Sequence, residues 1–178
     1  MADVSIIHPT TEAEIAHVRR LCRDYRAFLM TLGGTDAELI EMFYPEDAYE
    51  ALLEGITDTH AAPSGSLRLA VKEGAGLACG MYHTLRPGAA EIKRVYVAPE
   101  ARGTGLGRAM IATLLEDSRA AGFDTVFLDT SKRLTVAAEL YTSMGFAPRG
   151  PYSEVPDIAR QHLLYFEYPL SDAPSADL

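Results

Sequence analysis

The stretch from Ala90 to Leu128 constrains this 178-residue chain more than any other. It opens on an alternating run, AEIKRVYV, passes through RGTGLGR, and continues with Leu106, Met110, Ile111, Leu114, Leu115 and Ser118 on one helical face. Gly122 stops that helix, and the short apolar run TVFL follows. A strand, a crossover helix and a second strand in that order pair in parallel, so the helix must pack on one face of a sheet. The first strand is irregular. Under strict alternation Glu91 and Lys93 share a face, yet Val95 and Val97 belong on that face too, so the pattern slips near Arg94. One extra residue, a β-bulge, restores both halves, and bulges cluster beside functional sites.

The rest of the chain supplies what this unit packs against. Val4 to Ile7 reads as a short strand, and Thr11-x-x-Glu14 is a capping box before a helical stripe running from Ile15 to Leu32, ended by Gly33-Gly34. Thr35-x-x-Glu38 repeats the capping pattern, Ala48 to Ile56 reads as a further helix, and Thr57 to Gly65 as a loop. Leu67 to Val71, Leu77 to Leu85 and Ala90 to Val97 then form an antiparallel meander with short turns. Beyond TVFL the sequence predicts a helix with Val136, Ala137, Leu140, Tyr141 and Met144 on one face, and strands at Phe146 to Arg149 and His162 to Tyr168. Residues 1–170 are expected to form one domain and 171–178 a flexible tail.

RGTGLGR fits neither of two familiar phosphate loops. Five places after Gly103 stands Arg108, and no Gly-Lys-Ser/Thr follows, which excludes a Walker A loop; Gly105 plus three is again Arg108, which excludes a dinucleotide fingerprint. What remains is R-x-x-G-x-G, filled by Arg102, Gly105 and Gly107. Such glycines let backbone N–H groups and the positive end of the following helix approach a phosphate closely. The segment from Glu91 to Arg108 carries four cationic and two anionic side chains within a chain of net charge -9. An anion site is therefore local, and the overall charge argues against nucleic-acid binding.

IKRVYVAPEARGTGLGRAMIATLL, followed by VFLDT and AAELYTSMGF, resembles the GNAT superfamily of acetyl-CoA-dependent N-acetyltransferases from about Leu67 to Phe146. The resemblance implies an α/β (α+β) fold: a mixed, mostly antiparallel sheet of about six to seven strands flanked by about four helices. It implies acetyl-CoA as co-substrate, with Val95, Tyr96 and Val97 pairing with the pantetheine arm. Arg102, Gly103, Thr104, Gly105, Leu106, Gly107 and Arg108 would then wrap the pyrophosphate, and Ala137 to Tyr141 would flank the far side. Where many members carry an asparagine after the strand VFLDT, this chain has Asp129, Thr130, Ser131 and Lys132.

Acetyl transfer needs a neutral amine, an oxyanion site and a proton for the thiolate. Tyr141 matches the family's tyrosine that donates this proton, and a phenol with a pKa of about 10 is protonated at working pH. Glu91, at the head of the bulged strand, is the expected base, directly or through water; its alternative is an exposed carboxylate paired with Lys93. A bulge amide, that of Val97 or a neighbour, would meet the oxyanion. Cys22 and Cys79 lie in no nucleophile motif, and His8, His17, His60, His83 and His162 show no metal-ligand spacing. The expected acceptor is a primary amine of a small or amino-acid-like molecule. The acidic TDAELIEMFYPEDAYEALLEG favours a cation, whereas Arg149 beside the lid-like GPYSEVPD suits a carboxylate. The alternatives are a non-catalytic coenzyme A-binding regulator and an acyltransferase for longer chains. No apolar run is long enough to span a membrane, so a cytoplasmic protein is expected, and the edge of the last strand suits a homodimer.

Overall fold

The computed structural model describes residues 4–170; the expected tail at 171–178 lies outside them. Strands β1 (Ser5–Ile7), β2 (Gly65–Lys72), β3 (Ala75–Arg86), β4 (Ala89–Val97), β5 (Thr125–Ser131), β6 (Ala147–Arg149) and β7 (Leu163–Pro169) form one sheet in the order β1-β2-β3-β4-β5-β7-β6. All neighbours are antiparallel except β4 and β5, which the crossover helix joins in parallel. The mixed α/β fold expected from the sequence is the one observed.

The helices are α1 (Glu12–Thr31), α2 (Gly34–Phe43), α3 (Glu46–Glu54), α4 (Ile56–Thr59), α5 (Leu106–Ala120), α6 (Thr135–Ser143) and α7 (Asp157–His162). The Thr11 hydroxyl accepts from the Glu14 N–H, and the Glu14 carboxylate accepts from the Thr11 N–H, so α1 starts at the capping box. The second capping pattern is not used: α2 starts from Gly33 and Gly34, both at positive φ, with no side-chain cap. The expected Thr57 to Gly65 loop begins as helix α4, and α7 is a six-residue helix that periodicity is too short to reveal.

Two apolar layers clamp the sheet. On one face α5 places Met110, Ile111 and Leu114, all fully buried, against Ala78, Tyr82, Val126 and Phe166. The fit is close enough that a Cβ on Gly80 of β3 would stand 2.9 Å from the Met110 Cγ. On the other face Val18, Leu21 and Cys22 of α1 meet Leu53 of α3 and Leu69, Cys79 and Met81 of the sheet. Each such Val, Leu, Ile or Met contributes roughly 1.5–3 kcal/mol by leaving water. Asp117 near the end of α5 accepts from Arg68 at 2.5 and 2.7 Å and from the Ser66 hydroxyl at 2.6 Å, which ties the helix to β2.

One pairing geometry matters most. β4 and β5 hold register only at Ala89↔Thr125, Ala90↔Val126 and Glu91↔Phe127. Beyond Glu91, β4 stays with β3 as far as Val97, while β5 stays with β7 as far as Ser131, so the sheet opens into a wedge. The expected bulge sits at the mouth of this wedge: Met81 pairs with Lys93 and Cys79 with Tyr96, three steps on β4 against two on β3, with Arg94 at φ 52°. The last strand is not an edge. β6 covers Tyr165 to Glu167 of β7, so the expected dimer-forming edge belongs instead to the three residues of β6.

Candidate active site

The wedge separates two connected cavities. The larger, about 570 Å³, runs between the end of β4, the start of α5 and α6. Val95, Tyr96, Val97, Arg102, Gly103, Gly105, Leu106, Gly107, Arg108 and Ala137 line it, while Thr104 turns its hydroxyl to donate to the Ala101 carbonyl at 2.7 Å. Gly103 and Gly105 adopt φ 75° and 85°, conformations that side chains resist, and Gly105 caps α5 without any side-chain hydrogen bond. The first intrahelical bond runs from the Ala109 N–H to the Gly105 carbonyl, so the Leu106, Gly107 and Arg108 N–H groups find no acceptor within the helix. Bare amides at the positive end of a fifteen-residue helix suit a diphosphate.

Two further features shape this groove. Arg102 donates from Nε to the Val97 carbonyl at 3.1 Å and lies over the rings of Phe28 and Tyr96, at 5.2 and 5.7 Å. The Ala98 N–H donates to the Leu77 carbonyl on β3 at 2.8 Å; by strand alternation the Val97 N–H points the other way, into the wedge.

The smaller cavity, about 340 Å³, lies on the opposite side of Tyr141. α1 and α2 form one wall, the middle of β4 and the end of β5 the floor, and Tyr152 to Val155 with Tyr165 the far wall. Tyr25, Val95, Thr130 and Tyr141 line both cavities and mark their junction. Tyr141 packs against Phe146 and Phe166 with centroids 5.8 Å away, so its ring belongs to the core while its hydroxyl has no hydrogen-bond partner among the described residues. Burial, and then the charge of Asp129, push its pKa up to about 12.

Glu91 is 7% exposed and accepts from the Tyr152 hydroxyl at 2.7 Å and Lys93 Nζ at 2.8 Å, with His83 Nε2 at 3.2 Å. Burial alone would raise its pKa, but the His83 hydrogen bond and the Lys93 charge, with the Tyr152 bond, hold it down at about 2. A carboxylate that acidic attracts cations well and accepts protons poorly. Lys93 also reaches Asp129 Oδ1 at 3.2 Å; burial opposes its charge, but Asp129, Tyr44 and Glu91 raise its pKa above the usual lysine range.

Sequence reasoning missed several of these roles. In the sequence Asp129 is only a departure from a family pattern, yet it forms a Glu91–Lys93–Asp129 line across the floor. Tyr152, expected in a lid, reaches Glu91, while Arg149 spends its guanidinium on Glu167 and the face of Phe127. Asp36 of α2, Tyr44 between α2 and α3, and Tyr49 of α3 approach from a segment whose placement no local pattern encodes. Cys22 and Cys79 are fully buried and line neither cavity, and no cluster able to hold a metal ion occurs among the described residues.

Comparison with known proteins adds an independent observation. A family model described as the acetyltransferase (GNAT) family matches residues 31–146. The chain is 34% identical over 108 residues to an uncharacterized N-acetyltransferase of Schizosaccharomyces pombe, spanning 58% of this chain and 66% of that one. It is 33% identical over 112 residues to an IAA acetyltransferase of Azospirillum brasilense, covering 61% of this chain and 73% of the relative. Among solved structures, the PaiA N-acetyltransferase of Thermoplasma acidophilum in complex with coenzyme A superposes with a TM-score of 0.70 at 12% identity, over 94% of this chain and 99% of that one. At that identity the likeness is one of fold.

Proposed function

Since the chain belongs to the acetyltransferase (GNAT) family, whose members use acetyl-CoA, we propose that it moves the acetyl group directly onto a primary amine of a small molecule held in the 340 Å³ cavity. One observation carries this reading: Tyr141 stands at the junction of the two cavities with its hydroxyl unengaged. In this account the bare amides from Gly103 to Arg108 hold the pyrophosphate, the Val95 to Val97 backbone pairs with the pantetheine arm, and Ala137 covers it. The thioester then lies beside Tyr141. At 570 Å³ the groove has room for such an elongated co-substrate, and a Cβ placed on Gly105 would meet nothing within 4 Å, so the glycine is not required by packing within the chain.

The amine arrives as an ammonium with a pKa of about 10.4, drawn by Glu91 and Asp129. Glu91, whose pKa is pushed to about 2, serves attraction rather than proton storage, so the proton leaves through water in the cavity. The neutral nitrogen attacks the carbonyl carbon, and the Val97 N–H stabilises the oxyanion. The carbon–sulfur bond breaks, Tyr141 protonates the departing thiolate, and the second proton of the amine, shed as the amide forms, returns to the Tyr141 phenolate. With acetyl-CoA and a panel of amines, thiol release matched mole for mole by acetylated amine is the expected result. Saturable binding without thiol release marks a coenzyme A-binding regulator instead, and higher turnover with longer acyl-CoA marks a different donor.

A further inference from the structure

Among the described residues, one cation of the acceptor cavity has no counter-ion. Three of its lining residues are cationic, and two are paired: Arg26 with Glu41 at 2.8 Å, Lys93 with Glu91 and Asp129. Arg94, among the described residues, has no carboxylate partner. Its guanidinium instead lies over the rings of Tyr44 and Tyr49, at 5.2 and 5.7 Å, with Met81 Sδ 4.0 Å from Nη1. Its Nε is buried with no acceptor among the described residues. A cation taken out of water without a partner is costly, and aromatic faces compensate only part of that loss.

The backbone adds a second sign. Arg94 is the bulge residue itself, at φ 52°, a conformation that non-glycine residues adopt only where the surroundings over-determine it. At this bulge the side chain meets Tyr44, between α2 and α3, and Tyr49 of α3. In the same cavity the Tyr165 hydroxyl is also buried without a partner among the described residues.

We propose that the acceptor is an amine that also carries a carboxylate, bound with the carboxylate on the Arg94 guanidinium and the ammonium toward Glu91 and Asp129. This rests on the acetyltransferase reading and narrows its substrate class. The planar fork of a guanidinium fits a carboxylate through two parallel hydrogen bonds. Phosphate would fit the fork too, but Asp36, Glu91, Asp129 and Glu154 around one 340 Å³ space oppose a dianion more than a single negative charge. The small volume restricts the ligand to amino-acid size.

The test compares acceptors that differ only in the carboxylate: phenylalanine against phenethylamine, tyrosine against tyramine, with phosphoethanolamine as the phosphate probe. For each, kcat/KM is corrected for the fraction of free amine. The proposal expects the carboxylated member of each pair to win by tenfold or more, chiefly through KM. It expects Arg94→Gln to bring that ratio close to one and Arg94→Lys to keep part of it. Equal efficiencies within the wild-type pairs, or a preference for phosphoethanolamine, overturn the proposal whether or not the variants fold. Retained preference in a folded Arg94→Gln does so as well. Turnover without preference leaves the acetyltransferase reading standing; absence of turnover across the whole panel removes both.

Discussion

Gly105→Val is expected to lower the affinity for acetyl-CoA by two orders of magnitude or more while the chain still folds. Two opposed facts make this variant informative. A Cβ at residue 105 meets nothing within 4 Å, so the substitution causes no collision in the core. The residue sits at φ 85°, however, where a β-branched side chain costs about 1–2 kcal/mol. For a chain this size that lowers Tm by only a few degrees. The open space that the side chain enters lies before the amides at the start of α5, and each charge-assisted hydrogen bond lost there is worth about 1.5–3 kcal/mol. Two such losses account for the hundredfold. Gly122→Val is the matched control, because Gly122 has φ 82°, also finds open space, and follows the far end of α5. It is expected to lose similar stability and no affinity. Titration calorimetry with thermal melts checks both; equal affinity in Gly105→Val and the wild type removes the phosphate role of the loop.

The second large effect concerns kcat. Tyr141→Phe keeps the ring that packs on Phe146 and Phe166 and deletes a hydroxyl with no partner within the described chain. Stability should therefore change by no more than about 0.5 kcal/mol. If that hydroxyl delivers the proton to the thiolate, kcat falls by roughly 10²–10⁴ with little change in the KM for acetyl-CoA. A pKa of about 12 keeps the phenol protonated well above neutral pH, so loss of the wild-type rate at alkaline pH below that value must come from another group. Unchanged kcat in Tyr141→Phe across neutral pH returns Tyr141 to a purely structural role.

The features read correctly from the sequence share a physical cause that is local. Alternation breaks at Arg94 because two side-chain faces must be reconciled over a few residues, and the bulge appears where the break is. Gly103 and Gly105 stand where the backbone takes positive φ, and Thr11 and Glu14 make the reciprocal hydrogen bonds their spacing implies. What stayed hidden depends on pairing across the chain. Nothing local orders β7 between β5 and β6, so the last strand read as an edge. DIARQH is too short for a helical stripe. Glu91 was visible as a carboxylate on the right strand, but its chemistry is set by Tyr152, 61 residues away, and by His83 on the neighbouring strand. Arg94 stands out in the sequence through the break in alternation; that its guanidinium meets Tyr44 and Tyr49 and no counter-ion among the described residues follows only from the fold.

A crystal structure of the chain grown with coenzyme A bears most directly on the wedge between β4 and β5. The account predicts pyrophosphate oxygens within hydrogen-bonding reach of the amides from Gly103 to Arg108, the pantetheine arm strand-like along Val95 to Val97, and the sulfur beside the Tyr141 hydroxyl. Coenzyme A bound elsewhere, or a loop at 102–108 closed over its own amides with the ligand absent at saturating concentration, contradicts it.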